Sequence, residues 1–236
     1  TITSIRSSAE ILTDYDDLDD QAHRRFLDAI TSESAHLTRA AQEMFDVLRE
    51  RNADLPVADP ETEVEDFIAD HANHFPGLEA AADDLAIGLP ARTFIMTALD
   101  ERLTSQHGIR TAFAPPDQVP ANGQVFDVNA RTLTLAETLP VASVRFRMAE
   151  LLAGLECRQA VDAALAKATF SSGHARERAR RALVRYVAAA ALMPYDQVHA
   201  TAEATGYDVA RLQQSFGASF EQVCQHLTTL QRPGQR

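Results

Sequence analysis

"RFRMAELLAGLE", residues 145–156, decides how the rest of this 236-residue chain is read. Apolar side chains recur at Phe146, Ala149, Leu152 and Ala153, with Leu155 on the flank. That three-and-four spacing turns one face of an α-helix towards a core. The remaining positions of the same turns hold Glu150, Leu151 and Gly154, and whether they carry chemistry is the question the stretch raises.

Downstream of Ser143 the helical period persists over 143–156, 158–168, 174–192, 195–205, 208–216 and 219–231. Upstream the texture changes. "IRTAFAP" (109–115) and "GQVFDVNARTLTLAETLP" (123–140) alternate Val, Thr, Phe and Leu around the turn "DVNAR". This predicts two or three short strands in one small antiparallel sheet. Before them come a helix over 61–71, a turn at Pro76-Gly77 with a helix after it, and an amphipathic helix beyond Pro90 that Gly108 ends. Near the start, Asp17 to Ile30 opens with acidic residues, which suit the positive end of a helix dipole. Ser32 or Ser34 is placed to cap a second helix, whose stripe runs Leu37, Ala40, Ala41, Met44, Phe45, Leu48. That stripe either docks on the rest of the protein or forms a dimer seam. A Pro-bearing linker, 52–63, follows it.

The fold class expected is α+β and mostly helical. A small antiparallel sheet packs with the helix pair 143–156 and 174–192, a helical arm occupies 1–55, and a helical hairpin closes the chain. The domain boundaries expected are 1–55, 60–194 and 195–236.

The formal charge of −12 disfavours this chain as a holder of nucleic-acid backbone, because such affinity comes from Lys and Arg neutralising phosphates. The local cluster "HARERARRALVR" (174–185) leaves an anionic small molecule open. Cys157 and Cys224 lie in apolar helical contexts and read as buried thiols of a reducing compartment. No apolar run approaches the roughly 18 residues of a membrane span, and "TITSIRSSAEIL" lacks a signal-peptide layout. A cytoplasmic location without membrane contact is expected. Lacking an initiator Met and ending on "QRPGQR", the chain is expected to be a piece of something longer.

A helix that grips zinc carries His-Glu-x-x-His, since residues four apart share a face and two imidazoles there hold one ion. The frame R-F-x-x-A-His-Glu-x-x-His fits this helix, yet its three chemical positions hold Glu150, Leu151 and Gly154. On the later helix "RALVRYVAAAALMP" (181–194), Arg181 and Leu183 stand where an acidic ligand would. No metal and no hydrolytic chemistry are therefore expected. His71 and His74 have a spacing that suits weak metal contact, but nothing completes a site. The other histidines are scattered, and no serine or cysteine nucleophile signature is present. "VARLQQSFGASFEQVCQHLTTLQ" has helix-turn-helix spacing about Gly217, with Val223 and Leu227 inward. Its second helix offers Gln222, Gln225 and His226 but no Lys or Arg, so an interior hairpin is favoured over a DNA reader.

Three stretches now point the same way: "RFRMAELLAGLE", "RALVRYVAAAALMPYDQV" and "GYDVARLQQSFGASFEQVCQHLTTLQRPG". Together they resemble the ImmA/IrrE-type metallopeptidase-like domain. More closely they resemble its degenerate version in bacterial short-chain fatty-acyl transcriptional regulators of the Xre type, which govern acetate and propionate metabolism. "VEDFIADHANHFPGLEAAADDLA" (64–86) is similar to the helical lead-in of such regulators. The resemblance covers about residues 60–234, is most specific from Leu192 to Gly234, and does not reach residues 1–55.

The resemblance implies a catalytically inactive sensor domain over 60–194 and a short-chain acyl-CoA or related metabolite as effector. It implies no cofactor in this chain. DNA would be met through an Xre helix-turn-helix outside it, and a cysteine-bearing module, in some members holding an iron–sulfur cluster, would follow it. A homodimer is expected, with residues 17–51 as the pairing arm. A pocket built around a lost metal stays concave and takes ligands. Its expected lining is Phe146, Glu150 and Tyr186, with Arg181 and Arg185 meeting CoA phosphates as charge-assisted donors. Two other readings stand beside it: an interaction or adaptor module whose former active site is packed solid around Glu150 and Gly154, and DNA binding by the 208–231 hairpin.

Overall fold

The computed structural model describes Leu12, Ala22 and residues 24–34, 59–89 and 94–229. The chain divides into two compact units, Thr1–Val57 and Ala58–Arg236. In the first, residues 24–34 are helical. The helix runs on through Ser32 and Ser34, which the sequence marked as caps. The Thr31 hydroxyl donates to the Leu27 carbonyl at 2.8 Å, a bond back along the helix that leaves it intact. The apolar stripe from Leu37 to Leu48 lies outside the described residues.

The second unit opens with α1 (Pro60–Asp70) and α2 (Pro76–Ala86), followed by α3 (Ile95–His107). Strands β1 (Arg110–Ala114), β2 (Gln124–Asp127) and β3 (Thr132–Ala136) come next. Six helices complete it: α4 (Val141–Glu156), α5 (Arg158–Leu165), α6 (Gly173–Leu192), α7 (Tyr195–Thr205), α8 (Val209–Phe216) and α9 (Phe220–Leu227).

Local chemistry sets these boundaries. The Asp59 carboxylate caps α1 by accepting from the Glu61 N–H, and Pro60 fills the first turn, where its missing donor costs nothing. Pro76 plays the same part in α2. The reversal expected at Pro76-Gly77 therefore falls earlier, where Ala72 and Asn73 take left-handed backbone. Gly108 ends α3 at φ 60°, as the sequence implied.

The sheet corrects the sequence reading. Its order is β1-β3-β2, with β2 antiparallel to β3 but β1 parallel to it. The sheet is mixed, not antiparallel. Residues 115–123, with three prolines and a short 3-10 turn at Pro116–Gln118, span from one edge to the other and leave β3 the central slot. The β2–β3 hairpin is pinned by the Asp127 carboxylate, which accepts from the N–H groups of Asn129 and Ala130, both at 2.9 Å.

Helix α6 is the hub, packing on α4, α2, α1 and α5. Its buried residues are mostly alanines, Ala175, Ala179, Ala188, Ala190 and Ala191, so neighbouring helices approach closely. One apolar cluster takes in Leu99, Leu103, Leu135, Met148, Leu152, Leu165 and Leu183, linking helices and sheet. A second, smaller cluster of Met193, Val198, Ala202, Leu212 and Val223 holds α7–α9 together.

Those three helices are tied to α4 by Arg145, a buried cation that donates to the carbonyls of Phe216 (3.1 Å) and Gly217. A guanidinium suits the negative end of α8. Gly217 is required there twice over. Its φ is +59°, and a Cβ would stand 2.6 Å from the Arg145 guanidinium.

Candidate functional site

Helix α6 presents Ala182, Arg185, Tyr186 and Ala189 along one stripe, while α4 contributes Phe146. From the other side α9 brings Gln222, Gln225 and His226, and the α1–α2 turn brings Asn73 and Phe75. Together they enclose a cavity of about 170 Å³. An apolar cavity of about 150 Å³ is known to admit benzene, so a group of a few carbons fits this one. A whole nucleotide does not.

One wall carries a buried polar relay. The Tyr186 hydroxyl donates to Glu79 Oε1 at 2.9 Å, and the Phe75 N–H reaches the same hydroxyl at 3.5 Å. His74 Nε2 lies 3.6 Å from Glu79 Oε2. Phe75 meets the Tyr186 ring edge-on at 5.5 Å, fixing the phenol in place. On the opposite wall His226 is buried and its Nε2 makes no hydrogen bond. Burial outweighs the Met193 carbonyl and the Glu79 carboxylate and pulls its pKa down to about 4, so the ring is neutral.

A second chamber of about 190 Å³ adjoins the first and shares Phe146, Arg185, Gln222 and Gln225 with it. It adds Arg147, Ser143, Ser219 and Glu221. Two residues that line it, Arg147 and Arg185, grip Glu150 from two helices. Arg147 Nη1 donates to Oε2 at 3.0 Å, and Arg185 Nε donates to Oε1 at 3.1 Å. On its other side Glu150 faces an open groove of about 420 Å³ between α4 and β2, lined also by Phe126, Leu151 and Gly154. The metal frame fails a donor test. Glu150 is committed to two cations, Leu151 and Gly154 offer no donor atom, and the described residues contain no cluster of three His, Cys, Asp or Glu placed to hold an ion.

At the C-terminal end of α4, Glu156 is held differently. Arg102 grips it bidentately at 3.0 and 2.5 Å, and His107 Nε2 adds a contact of 2.8 Å. Arg102 also donates to the carbonyls of Leu85 (2.8 Å) and Ile87 (3.3 Å), locking the end of α2. Burial alone would raise the Glu156 pKa; the bonds and charges of Arg102 and His107 outweigh it and hold the carboxyl below its ordinary value. Beside it, burial pushes the Cys157 thiol up.

Of the residues expected from sequence, Phe146, Arg185 and Tyr186 line the inner cavity, and Glu150 meets them through Arg185. Arg181 is not among the lining residues; it is exposed, with Nε 3.4 Å from the Glu177 carbonyl. His71 is spent on the Phe67 carbonyl at 2.8 Å and stacks on Phe75. Gln222 completes a capping box with Ser219 rather than facing outward. Sequence reading missed Arg147, Glu79 and His226. A signal existed for two of them. Glu79 stands between Leu78 and three alanines and one turn from Ala82, and His226 stands three residues after Val223 on the inward face.

The profile of the IrrE N-terminal-like domain matches residues 104–228. The chain is 33% identical over 218 residues to the HTH-type transcriptional regulator RamB of Mycobacterium tuberculosis, covering 91% of this chain and 44% of that protein. It is 33% identical over 175 residues to the propionyl-CoA carboxylase regulator of Cereibacter sphaeroides, covering 74% of this chain and 36% of the relative. A solved Mycobacterium tuberculosis transcriptional regulator superimposes with a TM-score of 0.69 at 32% identity, over 75% of this chain and 55% of the other. The chain spans less than half the length of the curated relatives it matches.

Proposed function

We propose, from the premise that this chain belongs to the IrrE N-terminal-like family and is related to transcriptional regulators, that its second unit is the effector-sensing core of such a regulator. The effector is a short-chain acyl-CoA or a close relative of one. The observation that carries this reading is the paired chambers between α6 and α9. The inner one is mostly apolar and sized for a few carbons, and the outer one is basic through Arg147 and Arg185. A short acyl thioester ends in a small apolar group and carries phosphates on the same molecule. One relative is named for regulating a propionyl-CoA enzyme, which agrees with that chemistry.

Recognition replaces hydrolysis in this account, because Glu150, Leu151 and Gly154 supply nothing to hold or activate a metal-bound water. Residues 60–194 do the sensing, α9 of the C-terminal segment closes the cavity, and the arm over 1–55 pairs two copies. DNA is met through parts of the regulator outside this chain. The open groove beside Glu150 and Gly154 speaks against an adaptor packed solid there. The burial of His226 and the capping role of Gln222 speak against α9 as a DNA reader.

A ligand bound only by the folded state raises its stability by RT ln(1 + [L]/Kd), about 2.7 kcal/mol at a hundredfold excess over Kd. Thermal unfolding should therefore move upward with acetyl-CoA or propionyl-CoA, less with free CoA, and least with a long-chain thioester that overfills the inner chamber. If no thioester shifts the transition of the folded protein, the reading fails.

A further inference from the structure

We infer that Arg147 and Arg185 form a seat for a doubly charged phosphate, and that Glu150 is a built-in competitor which an effector must displace to occupy it. The inference rests on the reading of the paired chambers as an effector site, and it deepens that reading.

The two guanidiniums come from different helices, α4 and α6, and converge on one carboxylate at 3.0 and 3.1 Å. Two cations against one monoanion leave a positive charge unmatched. A dianionic phosphate presents more acceptor oxygens and a second charge, so it satisfies both guanidiniums where Glu150 satisfies them only in part. A carboxylate ligand has no such advantage over the resident one. The seat therefore favours phosphates over carboxylates of similar size. Glu221, which is exposed, is the carboxylate that lines the chamber itself and adds a modest repulsion to any anion.

Glu150 has somewhere to go. It already borders the 420 Å³ groove on its far side. One turn along α4, Gly154 lacks the side chain that would lean back over that space. Packing does not demand glycine there: a Cβ would meet only Val184 Cγ1, at 3.8 Å. The missing side chain leaves Glu150 a solvated resting place once a phosphate takes its partners. Because Arg185 also lines the inner cavity, one molecule can fill both chambers, and the cost of moving Glu150 sets the concentration at which it does so.

The test is calorimetric titration of the whole chain with inorganic pyrophosphate, for the native protein and for Glu150→Gln. The variant keeps the shape of the side chain and removes the competing charge. It should bind pyrophosphate about tenfold more tightly, the factor carried by one charged hydrogen-bonding competitor. The gain should weaken with salt and vanish in Glu150→Gln combined with Arg147→Gln. Equal or weaker binding by Glu150→Gln, or no binding to either protein, overturns the inference. A second readout needs no variant. In the native protein, pyrophosphate should move the carboxyl carbon resonance of Glu150, and saturation that leaves it unmoved overturns the inference equally. The two proposals fail separately. Tighter pyrophosphate binding without any response to propionyl-CoA sinks the effector reading and keeps the seat; the reverse keeps the effector and removes the competitor.

Discussion

Two carboxylates six residues apart on α4 have nearly the same local chemistry and different surroundings. Each is held by an arginine from another helix, Arg185 for Glu150 and Arg102 for Glu156, and Glu150 also by Arg147 of its own helix. Around Glu156 the donors are tied on several sides: Arg102 also holds the Leu85 and Ile87 carbonyls, and His107 adds a third contact. Glu150 instead borders an open groove, its partners Arg147 and Arg185 line a chamber, and Arg185 is 56% exposed. The difference teaches that an ion pair becomes a fastener or a switch according to whether displaced groups have anywhere to go. Pairing alone does not decide it.

Breaking the closed knot should have the largest effect. Glu156→Gln leaves Arg102 half-satisfied in a partly buried site and should cost on the order of 2–3 kcal/mol at neutral pH, measured by urea unfolding. The pH dependence follows from the lowered pKa. The native carboxyl contributes stability above the ordinary value of 4.5, and that contribution is lost as the pH falls through the lower folded value. The variant should lose less stability over that range.

The wall that α9 gives to both chambers depends on Gly217. Gly217→Ala places a Cβ against Arg145 in left-handed backbone and should cost about 1–2 kcal/mol. Because it disturbs the seating of α9, it should also weaken any effector response out of proportion to that loss. A variant that loses stability but keeps its full response would show that α9 does not shape the site.

His226 sharpens the comparison through pH. Its folded pKa of about 4 lies below the ordinary 6.5, so the unfolded chain takes up a proton that the folded ring does not. Stability should fall as the pH drops from 6.5 towards 4. His226→Leu removes a buried ring whose Nε2 is unbonded and should change stability at pH 7 by less than about 1 kcal/mol. It should abolish the loss between 6.5 and 4.5, leaving the Glu156 limb below. An unchanged profile would contradict the buried neutral ring. Smallest of all, Glu150→Gln should alter stability by only about 0.5 kcal/mol, because its partner Arg185 is largely solvated.

Much of this was legible in sequence, for identifiable reasons. The helix over 145–156 followed from the spacing of Phe146, Ala149, Leu152 and Ala153, and the end of α3 from Gly108. Phe146, Arg185 and Tyr186 came together because they share the faces that periodicity assigns. Arg181 did not join them. Spacing along α6 placed it one turn before Arg185, but the cavity-lining stripe is Ala182, Arg185, Tyr186 and Ala189, and Arg181 lies off it, exposed. The parallel β1–β3 pairing was hidden as well, since alternation fixes which residues face inward and not which strand sits in the middle. Arg147 passed unnoticed because a cation three residues before an acid ordinarily reads as a solvated helix pair. Only the arrival of Arg185 from α6 gives it another meaning.

The central claim is that the inner cavity receives the acyl end of the effector. Its most direct test is calorimetric titration with propionyl-CoA of the native chain and of Ala182→Leu, which fills that cavity from α6. The account predicts saturable one-to-one binding to the native protein and at least a tenfold loss in the folded variant. Undiminished binding by Ala182→Leu, or none by the native protein, would contradict it.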